Sequence, residues 1–81
     1  MDKRFVRIAK NSYLQISDIK YTTGYDGMTI IKKIRQMKKE DKVIDLTYGK
    51  KTLCVIFLKD ETAILINTLP ETINKRIDGE E

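Results

Sequence analysis

"TLCVIFLKDETAILIN", residues 52–67, holds two apolar runs separated by three charged residues. The first run, Thr52–Leu58, does not alternate apolar with polar side chains as a strand with one wet face would. It therefore reads as a strand covered on both faces. Lys59, Asp60 and Glu61 make a short hairpin connection, and "TAILIN" (62–67) is a further strand. The rest of the chain has to supply what packs against this pair.

Upstream, "FVRIA" (5–9) and "YLQIS" (13–17) each alternate apolar and polar residues. They predict two short half-exposed strands with a turn at "KNS" (10–12). "DIKYTT" (18–23) continues as a third strand, with Ile19 and Tyr21 expected on one face, and the two glycines of "GYDG" (24–27) break it. From Met28 the period changes. Ile30, Ile31, Ile34 and Met37 form the stripe of an amphipathic helix over about residues 28–40, with Lys32, Lys33, Arg35, Lys38 and Lys39 on its other faces. "EDK" (40–42) ends the helix, Val43–Leu46 begins another strand, and "TYGKK" (47–51) interrupts it like a turn.

At the C-terminal end, Thr68 stands three residues before Glu71, the spacing of a capping box, and Pro70 suits a first helical turn. Ile73 and Ile77 share a face, so a short helix is expected over about residues 69–77. The assembled expectation is one α+β domain over residues 1–81: an antiparallel-rich sheet with one amphipathic helix and a short C-terminal helix. Residues 78–81, "DGEE", are expected to fray.

Bulk properties narrow the function classes. Eighty-one residues bury only about 60–65% of their unfolded surface, so association could add stability. A composition 41% hydrophobic and 35% charged is too apolar for a disordered chain. The single cysteine, Cys54, cannot form an internal disulfide, and its apolar surroundings suggest a small buried hydrophobe. No secretory leader and no membrane-length apolar run occur, so a cytoplasmic location without membrane contact is the expectation.

Charge is unevenly spread. Residues 3–51 carry thirteen Lys or Arg and five Asp or Glu, a surplus of eight; residues 52–81 carry three against six, a deficit of three. This asymmetry suits a polyanionic partner, and a lysine-rich solubilising surface would give a similar count.

Catalytic chemistry finds little support. Histidine is absent, which removes the commonest general base and metal ligand, and one cysteine excludes a thiolate zinc site. No phosphate-loop motif occurs. Glu40/Asp41 and Asp60/Glu61 fall at expected turns and read as solvated surface. Asp45, beside the basic turn, either orients a lysine or caps a backbone amide. The expectation is a non-enzyme with no cofactor, metal or small-molecule substrate.

Binding remains. Gly49 permits a left-handed or tight turn, which would push the side chains of Lys50 and Lys51 outward. Lysine is a flexible point charge suited to phosphate contacts, although a solvated strand edge would carry the same pair. Tyr48 either stacks on a base or sugar or simply packs.

At these residues the chain resembles a known family. "IDLTYGKKTLCVIFLKDETAILINTLPETINKRI", residues 44–77, is similar to the RemA family, DNA-binding regulators of biofilm-matrix genes in Gram-positive bacteria. Members carry a pattern close to "IDATYGRRT", an apolar strand, an acidic hairpin, an "ILS" strand and "QPETV". Matching positions include Thr47-Tyr48-Gly49, Thr52, Pro70-Glu71-Thr72 and Arg76, and the likeness reaches back to about Phe5. The family's glycine-rich start is "IAKNSYL" (8–14) here, and Asp18 stands where members hold a basic residue, with Lys20 nearby.

The resemblance implies a LytTR-like DNA-binding domain that assembles into closed rings and wraps double-stranded DNA around the outside. It also implies DNA contact by a paired-arginine motif whose positions are Lys50 and Lys51 here. Lysines keep the charge without the bidentate geometry, which implies backbone and shape readout. The expected nucleic-acid-binding set is Lys50, Lys51, Tyr48 and Gly49, with Lys10, Lys20, Lys32 and Lys33 as secondary contacts. The expected partners are duplex DNA and further copies of the chain. The competing reading is a protein-interaction module (an adaptor, antirepressor or phage-type inhibitor) that sets the same basic face against an acidic partner.

Overall fold

The computed structural model describes residues 3–79. In chain order its elements are β1 (Phe5–Ala9), β2 (Ser12–Gln15), one 3-10 turn (Ile16–Asp18), β3 (Ile19–Gly24) and α1 (Met28–Lys39). They continue with β4 (Val43–Asp45), β5 (Cys54–Leu58), β6 (Ala63–Ile66) and α2 (Pro70–Ile77).

β5 and β6 form the spine. They pair antiparallel from Cys54 opposite Ile66 to Phe57 opposite Ala63, and every residue of the two strands except Leu58 is buried. Successive side chains point to opposite faces. Cys54, Ile56, Ile64 and Ile66 therefore meet Val6 and Ile8 of β1 and Ile73 of α2 on one side. Val55, Phe57, Ala63 and Leu65 meet Ile34 and Met37 of α1 on the other. Three layers result: α1, a four-stranded sheet, and a β1–β2 hairpin flanked by α2. Each fully buried Val, Leu or Ile contributes about 1.5–3 kcal/mol, so this doubly covered pair is the main source of cohesion.

The α+β class is as expected, but the strands form two sheets rather than one. β1 and β2 pair only with each other, while the larger sheet runs β3-β5-β6-β4. β4 joins β6 in parallel, with Val43 opposite Ala63 and Asp45 opposite Leu65. No helix is long and apolar enough to cross a membrane.

Two expectations are corrected. Ile19 and Tyr21 do not share a face. Ile19 pairs with Leu58 and Tyr21 with Phe57, so Lys20 is an extra residue at a bulge. The bulge sends Ile19 to the hairpin side and lets Tyr21 stack on Phe57, ring centroids 4.7 Å apart, on the α1 side. Nor does Thr68 close a capping box. α2 begins at Pro70 with Leu69 as its extended N-cap, and no side chain caps it. Pro70 has no N–H to donate to a Thr68 cap and holds the preceding residue extended, which shifts the helix start one residue past the position Thr68 would need. Of the four residues expected to fray, 80–81 lie outside the described ones, while Asp78 and Gly79 donate backbone N–H groups to Asn74 and Arg76 at 3.0 and 3.2 Å.

Candidate nucleic-acid interface

The candidate interface is assembled where β4 ends. Asp45 Oδ1 accepts from the Thr47 backbone N–H at 2.9 Å and from its hydroxyl at 2.6 Å. Thr47 is only 4% exposed, so these bonds satisfy a buried polar group that would otherwise be costly. Of the two roles open to Asp45, the backbone cap is the one adopted. The hydrogen bonds from Thr47 hold the carboxyl below its ordinary pKa.

The chain then reverses. Tyr48 and Gly49 both have positive φ, 55° and 82°, and Lys50 N–H donates to Thr47 O at 3.0 Å. Two left-handed residues inside a four-residue turn give the tight form normally built from Asn-Gly. Gly49 adopts it freely, whereas the left-handed backbone at Tyr48 costs about 1–2 kcal/mol. Tyr48 is held there by its hydroxyl, which donates to the carbonyl of Lys10 at 3.2 Å, and the residue is 65% exposed. It thus neither sinks into the core nor hangs free.

Lys50 and Lys51 follow, both exposed and outside any strand, because β5 begins only at Cys54. Strand alternation, which sends adjacent side chains to opposite faces, therefore does not separate them. Behind them the loop is anchored: Asn67 Nδ2 donates to Lys51 O, and Leu53 N–H to Ile66 O at 2.9 Å. Among the described residues the side-chain ion pairs are Lys20–Glu61 at 3.8 Å and Lys42–Glu40 at 3.7 Å. Neither lysine of the turn takes part, so both charges face solvent.

The Tyr48 hydrogen bond thus brings the backbone of Lys10 to the turn that carries Gly49, Lys50 and Lys51. Lys20 and Lys33 do not join them. Lys20 pairs with Glu61, and Lys33 Nζ lies 4.9 Å from the Phe57 ring centroid, both near the β5–β6 connection. β5 separates the two groups by roughly 13 Å, four residues at ~3.3 Å. Asp18 is at that far end as well, its carbonyl accepting from Lys59 N–H at 3.0 Å. Lys32 is exposed on α1, which covers the face of the sheet opposite the hairpin.

Cys54 is fully buried, and burial pushes its thiol up to about 11. Among the described residues no three His, Cys, Asp or Glu side chains are grouped to hold a metal ion. Sequence reasoning missed the Tyr48–Lys10 link, for which no local pattern exists. It also passed over an exposed set, Phe5, Arg7 and Tyr13, which the alternation in "FVRIA" and "YLQIS" already turns outward.

The family model described as RemA-like, extracellular matrix regulatory protein A-like, matches residues 5–77, from the first residue of β1 to the last of α2. The chain belongs to this RemA-like family. A relative from Coprothermobacter proteolyticus is 30% identical over 80 residues, covering 99% of this chain and 76% of its own. Relatives from Bacillus cytotoxicus and Bacillus mycoides are each 27% identical over 81 residues, covering all of this chain and 93% of theirs. All three are named, provisionally, regulatory proteins.

Proposed function

We propose that this RemA-like protein is a transcriptional regulator that binds double-stranded DNA as a homo-oligomer. Lys50 and Lys51 contact backbone phosphates, and Lys10 is a neighbouring contact. The observation that carries this reading is the turn itself: two unpaired cations held outward on a loop fixed by Asp45, Thr47, Asn67 and Tyr48. Regulation is also the role named for the relatives. Two adjacent like charges repel, and a polyanion relieves that repulsion while releasing counterions.

Lysines supply affinity without reading bases, so specificity comes from DNA shape. Two contacts per copy are weak, and repetition around an assembly, a ring by the family resemblance, converts them into avidity. The resemblance further suggests a LytTR-like mode of DNA binding, biofilm-matrix genes as targets and a cytoplasmic location. Lys20, Lys32 and Lys33 are left out of the proposed contact, because they lie away from the turn.

The test is duplex-DNA affinity across a salt series. Each phosphate contact contributes about 0.9 to the slope of log affinity against log salt. Changing Lys50→Ala and Lys51→Ala together lowers the slope by about 1.8 per bound copy on that basis. An unchanged slope and affinity in the double variant would sink the assignment. Light scattering on the same preparations tests assembly, and a strict monomer at micromolar concentration refutes the avidity component.

A further inference from the structure

Beside the lysine turn stands the tip of the β1–β2 hairpin. β1 ends at Ala9 and β2 begins at Ser12, so the tip consists of Lys10 and Asn11, both exposed. Asn11 is left-handed, with φ 59°, a conformation that asparagine tolerates better than most side chains. The tip is tied down through one atom. The Lys10 carbonyl oxygen accepts from the Tyr48 hydroxyl at 3.2 Å and from Ser12 Oγ at 3.4 Å. With that carbonyl occupied, the side chains of Lys10 and Asn11 are what an approaching molecule meets. Lys10, Lys50 and Lys51 offer charge alone, whereas the Asn11 carboxamide carries two N–H donors and an acceptor on one flat group.

We propose that this tip enters the minor groove of A·T-rich duplex DNA, where the Asn11 amide group donates to adenine N3 or thymine O2. The inference rests on the duplex reading above and names the element that probes the groove. Lysines on phosphates select no sequence, and selection by shape needs a group that senses a groove's width. A·T tracts narrow the minor groove and strengthen its negative potential, which attracts the Lys10 ammonium. Both A·T orientations show only acceptors there, matching the Asn11 donors, while a G·C pair sets the guanine N2 amino group in their path. Asparagine and lysine are among the side chains that read this groove. At about 6 Å it is wide enough for the side chains of a tip but not for the two-stranded ribbon behind it.

The experiment measures anisotropy of three labelled duplexes of equal length with the full chain: one A·T-rich, one G·C-rich and one built from inosine·C pairs. Inosine lacks the guanine 2-amino group but keeps the major-groove edge of guanine. Wild type is expected to bind the A·T and inosine·C duplexes about tenfold more tightly than G·C per contacting copy, the discrimination of one base contact. Asn11→Gly keeps the left-handed backbone and removes the carboxamide. It should abolish most of that preference and leave the salt slope unchanged. Asn11→Asp sets a carboxylate against the base acceptors and should bind the A·T duplex more weakly than Asn11→Gly. Because Asn11 is exposed, circular dichroism should report both variants folded.

The two readings fail in different ways. Wild type that binds none of the three duplexes removes the duplex reading and this inference together. Wild type that binds all three equally overturns the inference alone. So does an inosine·C duplex bound like G·C, which would put the contact in the major groove, and so does an Asn11→Gly variant that keeps the wild-type preference.

Discussion

Asp45→Ala tests how the lysine turn is held. The substitution removes the acceptor for both the Thr47 amide and the Thr47 hydroxyl. Thr47 is 4% exposed, but Asp45 itself is exposed, so water can enter part of the vacated space. A buried donor left without a partner costs about 1–3 kcal/mol, and the lower end, about 1 kcal/mol, applies here. A domain of this size has roughly 4–12 kcal/mol in all, from ~0.05–0.15 kcal/mol per residue. With a Tm change of about 4–8 °C per kcal/mol, the expected fall is roughly 4–8 °C. Asp45→Asn keeps a neutral oxygen acceptor and should lose about half as much, since bonds to charged groups are about twice as strong as neutral ones.

The pH dependence gives a second handle on the same contact. Thr47 holds the Asp45 pKa below 3.8 in the folded state. The carboxylate's contribution is therefore fully present above that unfolded value and disappears as pH falls through the lower folded value. Asp60, lowered by the same kind of bonds from Thr62, titrates in the same window in both proteins and cancels in the difference. The gap in Tm between wild type and Asp45→Asn should be constant near neutrality and narrow in strong acid. Thermal melts followed by circular dichroism supply both measurements. An Asp45→Ala shift under about 2 °C, well below the range above, would show that the loop is held by something else.

Other consequences follow from the core and the second helix. The Cys54 thiol, fully buried and raised to about 11, should resist an aromatic disulfide reagent at pH 8 and react only as denaturant opens the protein; rapid stoichiometric labelling of native protein would contradict its placement. Thr68→Ala should change stability by less than about 0.5 kcal/mol in a denaturant titration, because Thr68 caps nothing. A loss of about 1 kcal/mol, typical of a true N-cap, would restore the capping box to α2.

Which parts of this structure were legible in the sequence follows from the range of the interactions involved. The β5–β6 hairpin, α1 and α2 are set by local periodicity and by Pro70, and all three form within a residue or two of expectation. The split into two sheets and the parallel pairing of β4 with β6 depend on contacts between residues far apart in sequence, which periodicity does not encode. The bulge at Lys20 is invisible for a related reason: alternation assumes an unbroken pleat, and one extra residue reverses every face assignment across it.

The candidate site divides along the same line. Gly49 and its two lysines could be picked out because glycine's backbone freedom is intrinsic to the residue. The left-handed Tyr48 could not, since its conformation is secured from Lys10, 38 residues away. Lys20 and Lys33 looked equivalent to Lys10 on charge alone, and only the direction of β5 separates them from the turn.

The doubly covered spine also has a consequence for how the protein is made. Four strands and the long helix precede β5 in the chain, and their apolar faces are shaped to fit side chains that the ribosome adds afterwards. At ~5–20 residues per second, the stretch from Thr47 to Ile66 takes roughly one to four seconds to synthesise. During that interval the nascent chain carries Ile34, Met37, Val6 and Ile8 with nothing to receive them. Folding of this domain can be completed only after β5 and β6 have been synthesised, and until then the emerging chain is a natural client for a chaperone.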